Sequence, residues 1–147
     1  MWVILEGLDK TGKTTLQWDF MRATNFKHVT IDRGPMGYMS YDEILDRSTK
    51  AGNREFIDMA RKVVNKKTGF IVVLCEAPED VVMKRLKEQN EEPLTCNYSY
   101  KQCQAIYRKN VLRYYDQDKV IIIDTSKMSR EECVKAIIEK LEEFKKM

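Results

Sequence analysis

Four short apolar runs punctuate the chain, at 2–5, 28–31, 70–74 and 120–123. They are rich in Val, Ile and Leu, and each predicts a buried strand. The segments between them change to helical spacing. A helix is predicted from 13 to about 22, with Leu16 and Phe20 facing the sheet. Another starts at 41–45. The stretch 53–66 puts Phe56, Ile57, Ala60, Val63 and Val64 on an inward face, and Lys67, Thr68 and Gly69 stop it. Pro78 suits a first helical turn, so 79–88 reads as helix. The segment 100–115 mixes aromatic and aliphatic residues and predicts a fifth helix. Ser129 with Glu131 and Glu132 resembles an N-cap and capping box, opening a last helix over 130–144. Its apolar side carries Cys133, Ile137, Ile138 and Leu141. The polar stretch 89–97, with Pro93, predicts a lid or connector. The terminal residues 143–147 are expected to fray.

Strands alternating with helices favour an α/β fold: three layers around a reduced, mostly parallel sheet. Residues 1–147 read as a single domain, without internal repeat or long linker.

Composition narrows the chemistry only slightly. Lys and Arg number 26 against 23 Asp and Glu, a net charge of +3. That excess suits anionic ligands without marking a nucleic-acid binder. Cys75, Cys96, Cys103 and Cys133 form no Cys-x-x-Cys pair, and His28 is the only histidine. A structural zinc site is therefore not expected, and scattered reduced thiols in a cytoplasmic protein are. The start of the chain lacks a signal-peptide pattern, and no stretch is long enough to span a membrane.

Gly7-Leu8-Asp9-Lys10-Thr11-Gly12-Lys13-Thr14 matches G-x-x-x-x-G-K-[ST] and lies between the first strand and the first helix. Glycine lets the backbone wrap phosphate oxygens closely, and the helix N-terminus turns its N–H groups toward their charge. Gly7, Asp9, Lys10, Thr11, Gly12, Lys13, Thr14 and Thr15 are the candidate nucleotide-binding residues. Lys13 is expected on the β- and γ-phosphates of ATP, and the Thr14 hydroxyl on Mg²⁺. Thr15 is placed to bond phosphate. Asp32 follows the second run, where a carboxylate meets magnesium and its water shell. Arg33 offers several donors to a transferred or acceptor phosphate.

The stretch from Glu6 to Thr15 resembles the start of thymidylate kinases and related nucleoside or nucleotide kinases. Asp32-Arg33-Gly34-Pro35, with Ser40 nearby, resembles that family's Asp–Arg segment. The resemblance implies a P-loop kinase-like domain that uses ATP and Mg²⁺ on a nucleotide-like acceptor, for instance a (deoxy)nucleoside monophosphate. It implies that Asp9 reaches the acceptor sugar, that Lys10 stabilises the moving phosphoryl group, and that Arg85 guards the phosphate site. The chain lacks the family's Arg-Glu-Pro-Gly segment. Aligning 28–32 with the family's third strand leaves four strands.

Further candidates are softer. Tyr38 and Tyr41 suit base stacking or surface packing equally. Arg47 and Arg54 are candidate acceptor-phosphate contacts that also read as surface charge, and Arg108 and Arg113, on the helix after the connector, are candidates to approach the lid. Phe56 reads as core. Lys84 and Arg85 cannot readily face one side, and Lys87 points to solvent. Glu91 and Glu92 repel phosphate unless they organise basic partners. Glu6 positions Arg33 or pairs with a lysine, and Trp2 and Trp18 read as packing residues. Three activities remain open: a small-acceptor kinase, a kinase acting on a terminal or modified nucleotide in DNA or RNA, and an NTP-dependent regulatory ATPase. A homodimer is open as well, and no membrane partner is expected.

Overall fold

A computed structural model describes residues 1–145. The elements run β1 (Trp2–Glu6), α1 (Lys13–Ala23), β2 (Val29–Asp32), α2 (Pro35–Ile44), α3 (Lys50–Val63), β3 (Phe70–Glu76), α4 (Glu79–Glu88), α5 (Tyr100–Tyr114), β4 (Val120–Asp124) and α6 (Arg130–Lys145). A 3₁₀ turn, Gln117–Lys119, precedes β4. Helix α6 continues to Lys145 rather than fraying from 143. The expectation for 146–147 lies outside the described residues.

The four strands form one sheet in the order β2-β1-β3-β4, and every pairing is parallel. Alternation along the strands splits the core in two. Ile4, Val72 and Leu74 face α2, α3 and α5, where Met36, Ala60 and Tyr107 meet them. Val3, Leu5, Val73 and Ile123 face α1 and α6, against Leu16, Phe20 and Ile137. The fold is therefore a three-layer α/β arrangement, with helices covering both faces of a parallel sheet.

The middle of the chain departs from its sequence pattern. Helix α2 starts at Pro35, not near 41, and residues around it are buried on several sides: Met36, Gly37, Met39, Ser40, Tyr41 and Ile44. Helix α3 starts and ends three residues earlier than its apolar spacing suggests. Thr49 caps it by accepting from the Gly52 N–H at 3.0 Å. Strand β2 is an edge strand, and Val29 is 48% exposed. Trp2 and Trp18 are also about half exposed rather than packed, although Trp2 stacks on Phe70 at 5.4 Å.

Candidate nucleotide-binding cleft

The turn between β1 and α1 needs backbone that most side chains resist. Gly7 has φ +139° and Gly12 has φ +87°. A Cβ on Gly7 would run into the Cys75 carbonyl oxygen, and one on Gly12 would lie 2.9 Å from Thr125 Oγ1. Thr11 braces the loop from within, donating to the Leu8 carbonyl at 2.6 Å. Among the described residues no side chain caps α1, and its first turn carries no acid. Its leading N–H groups thus present partial positive charge without a protein partner of their own, which suits an anion.

A cleft of about 680 Å³ opens on this loop. Asp9, Lys10, Gly12, Lys13, Thr14 and Thr15 line it from the loop side. Asp32, Arg33 and Arg85 line it from β2 and α4. Gly7 and Thr11 are buried in the loop itself. The sequence candidates therefore converge on one cavity.

Their contacts differ in kind. Lys13 is buried, and its Nζ lies 2.9 Å from Asp32 Oδ1. Arg33 adopts a left-handed φ of +67°. Its guanidinium stacks 4.1 Å above the Tyr41 ring and donates to Asp9 Oδ1 at 3.2 Å. The Tyr41 hydroxyl accepts from the Asp9 N–H at 3.0 Å, so one tyrosine supports both partners. Burial pushes the Tyr41 phenol up to about 12, and it stays neutral. Arg85 donates to the Lys10 carbonyl at 2.7 Å. That bond carries a guanidinium from α4 to the rim of the loop. Lys10 is held by the connector, donating to Gln89 Oε1 at 2.5 Å and pairing with Glu91 at 3.0 Å. Glu91 thus organises a basic partner.

Among the described residues Glu6 forms no ion pair with a lysine or with Arg33. It is fully buried and accepts four hydrogen bonds. The Gly34 and Gly37 N–H groups donate at 2.9 and 3.0 Å, and the Tyr107 and Tyr115 hydroxyls at 2.8 and 2.7 Å. Burial raises its pKa, while the four donors oppose that shift. Glu6 therefore caps α2 from β1 and fixes the backbone just after Arg33.

Other candidates fall elsewhere. Tyr38 is exposed and stacks on Phe56 at 6.4 Å, while Phe56 packs against the core. Arg47 pairs with Asp42, and Arg108 with Glu76. Arg113 lies over the Tyr114 ring. Arg54, Lys84 and Lys87 are exposed. None of these lines the cleft. Sequence reasoning missed Thr125, Asp19 and Arg130, which do. Arg130 grips Asp19 with two bonds of 2.7 and 2.8 Å, joining α6 to α1. A contact spanning 111 residues leaves no local signal in the sequence.

Magnesium needs oxygen donors and keeps several waters, so one carboxylate and one hydroxyl beside phosphate suffice. Thr14 and Asp32 both line the cleft, and their donor chemistry fits. Among the described residues no three His, Cys, Asp or Glu side chains gather into an all-protein metal cage.

A strand, a glycine-bounded loop and an uncapped helix set on a parallel sheet define a P-loop kinase fold. The chain belongs to the shikimate kinase family, whose model matches residues 49–142. No curated protein sequence matches it. Among solved structures it resembles the YorR protein of Bacillus subtilis in complex with phosphorylated GDP, with 19% identity and a TM-score of 0.68 over 97% of this chain and 96% of that one. It resembles deoxyadenosine kinase from M. mycoides with dCMP and dCDP bound, with 14% identity and a TM-score of 0.59 over 97% and 99%. Thymidylate kinase from Candida albicans follows the same course, with 13% identity and a TM-score of 0.58 over 98% and 92%. At such identities the likeness establishes the shared fold. Among the described residues no helix is long and apolar enough to cross a membrane.

Proposed function

We propose that this protein transfers the γ-phosphoryl group of ATP, with Mg²⁺, to a nucleotide-like acceptor such as a (deoxy)nucleoside monophosphate. The observation that carries this reading is the convergence of Lys13, Asp32, Arg33 and Arg85 on one cleft beside the P-loop. The neighbouring kinase structures fit it.

Phosphoryl transfer asks the protein mainly for positioning and charge compensation. Lys13 supplies a buried ammonium to the β- and γ-phosphates. Arg85, anchored on the Lys10 carbonyl, neutralises charge on the moving group. Arg33, lying over Tyr41 and steered by Asp9, holds the acceptor phosphate. An oxygen of that phosphate attacks the γ-phosphorus as the bond to the β-phosphate oxygen breaks, and ADP leaves. Bound Mg²⁺, held by Thr14 and Asp32, supplies further charge compensation. A monophosphate acceptor brings an anionic oxygen, so no general base is required. Glu6 is unsuited to that role, because four donors already occupy its oxygens. The connector, gripping Lys10, excludes water from the cleft.

The test is product identification. ATP labelled at the γ-position is incubated with Mg²⁺ and a panel of nucleosides, monophosphates and short DNA or RNA. A labelled diphosphate, absent with Lys13→Ala, is the expected result. Transfer only to oligonucleotides would assign a polynucleotide kinase. Hydrolysis with no labelled acceptor would assign a regulatory ATPase and overturn the proposal.

A further inference from the structure

Cys103 follows Cys96 by seven positions, a spacing that resembles no familiar thiol motif. The fold nevertheless brings their sulfur atoms to 3.7 Å. Cys96 sits half-buried in the connector after α4, and Cys103 lies buried in the first turn of α5. Ser99 tightens the intervening turn as an N-cap, accepting from the Gln102 N–H at 3.1 Å. Both thiols line a second cavity of about 210 Å³ beneath the connector, beside Leu8, Tyr41 and Leu94. The other two cysteines, Cys75 and Cys133, are buried in the core on the opposite face of the sheet.

We propose that Cys96 and Cys103 form a reversible redox pair whose disulfide fastens the connector to α5. A disulfide bond is about 2.0 Å long, so the sulfurs need to approach by roughly 1.7 Å. Cys96 lies on connector backbone that forms no helix or strand, and this segment is the one that can yield.

The order of events follows from access. The Cys96 thiolate attacks one sulfur of a low-molecular-weight disulfide and expels one thiolate. Cys103 then gives up its proton and attacks Cys96 Sγ, expelling the second thiolate. Two electrons pass from the protein to the small disulfide, and both thiol protons end on its two released halves. Cys103 is the poorer first nucleophile. Burial, and then the neighbouring Cys96 sulfur, hold its thiol above the ordinary range.

The connector is already gripped at its start, where Gln89 and Glu91 hold Lys10. A bond at Cys96 would fix its far part as well. Oxidation then slows opening of the connector, and any turnover that depends on opening falls with it.

The experiment uses the folded full chain and oxidised glutathione. Intact mass should fall by two hydrogens and return with dithiothreitol. Peptide mapping should join Cys96 to Cys103, and amide hydrogen exchange across 89–98 should slow in the oxidised form. Cys103→Ser should instead keep a glutathione adduct on Cys96, and Cys96→Ser should form no link. A lasting adduct on wild-type Cys96, a link through Cys75 or Cys133, or unchanged exchange after oxidation would overturn the proposal. These readouts do not depend on kinase activity, so they stand or fall separately from the proposed function.

Discussion

The Lys13 ammonium lies 2.9 Å from a carboxylate oxygen of Asp32, joining the first turn of α1 to the end of β2. Parallel pairing sets this up: Leu5 is in register with Asp32, so the P-loop and the end of β2 leave the sheet side by side. Lys13 is buried and Asp32 is 53% exposed. A buried ammonium is thereby aimed into the cleft with one carboxylate to compensate it. Lys13→Ala is expected to abolish transfer and weaken ATP binding at least about tenfold, which calorimetric titration would measure. Asp32→Asn keeps a hydrogen-bond acceptor but removes the charge. It should retain ATP binding while turnover falls on the order of a hundredfold.

Arg85 reaches the loop through a single carbonyl, that of Lys10. Its remaining donors form a planar array suited to phosphate oxygens. Lysine lacks that geometry, so Arg85→Lys should rescue little. Both Arg85→Lys and Arg85→Ala are expected to lower kcat by on the order of a hundredfold, with smaller changes in KM. Equal losses in kcat and thermal stability would instead mark Arg85 as a structural brace.

Glu6 predicts an unusual pH dependence. Burial raises its carboxyl above the ordinary value of 4.5, so the folded protein binds this proton more tightly than the unfolded chain. The stability contributed through this proton is complete below pH 4.5 and is lost as pH rises through the raised value. Glu6→Gln carries no such proton. Its amide also cannot accept at both ends, which leaves a buried N–H unpaired at about 1–3 kcal/mol. Urea midpoints of the two proteins should therefore lie furthest apart in acid, with the gap narrowing toward neutral pH to the part left by the unpaired N–H.

Gly7 tests the loop itself. At φ +139°, with the Cys75 carbonyl against the space a Cβ would fill, alanine is opposed by both backbone and packing. Gly7→Ala should destabilise the fold by about 2 kcal/mol or more and impair nucleotide binding even where it folds. Thermal melting with and without ATP would separate the two effects.

Local chemistry was legible where local rules act. The four apolar runs became the four strands, and the capping box expected at Ser129 forms, its hydroxyl accepting from the Glu132 N–H and the Glu132 carboxylate from the Ser129 N–H, each at 3.1 Å. Helix α2 was not legible, because it is buried on several sides and leaves only a narrow solvent face around Tyr38 and Asp42 to betray its period. Its N-terminus is capped by Glu6, 28 residues earlier, so no neighbouring sequence could announce where it starts.

The sequence by itself determined the phosphate cradle. Tight backbone, an opening helix and a terminal Lys-Thr pair are properties of consecutive residues. Only the tertiary structure decided what surrounds that cradle. Arg85 on the Lys10 carbonyl, Arg33 against Tyr41, Glu6 under α2 and the two sulfurs of Cys96 and Cys103 are all contacts between elements. The physical reason is one of range. A turn's conformation is set by its own side chains, whereas a buried charge or thiol takes its role from whatever the packed sheet and helices place against it.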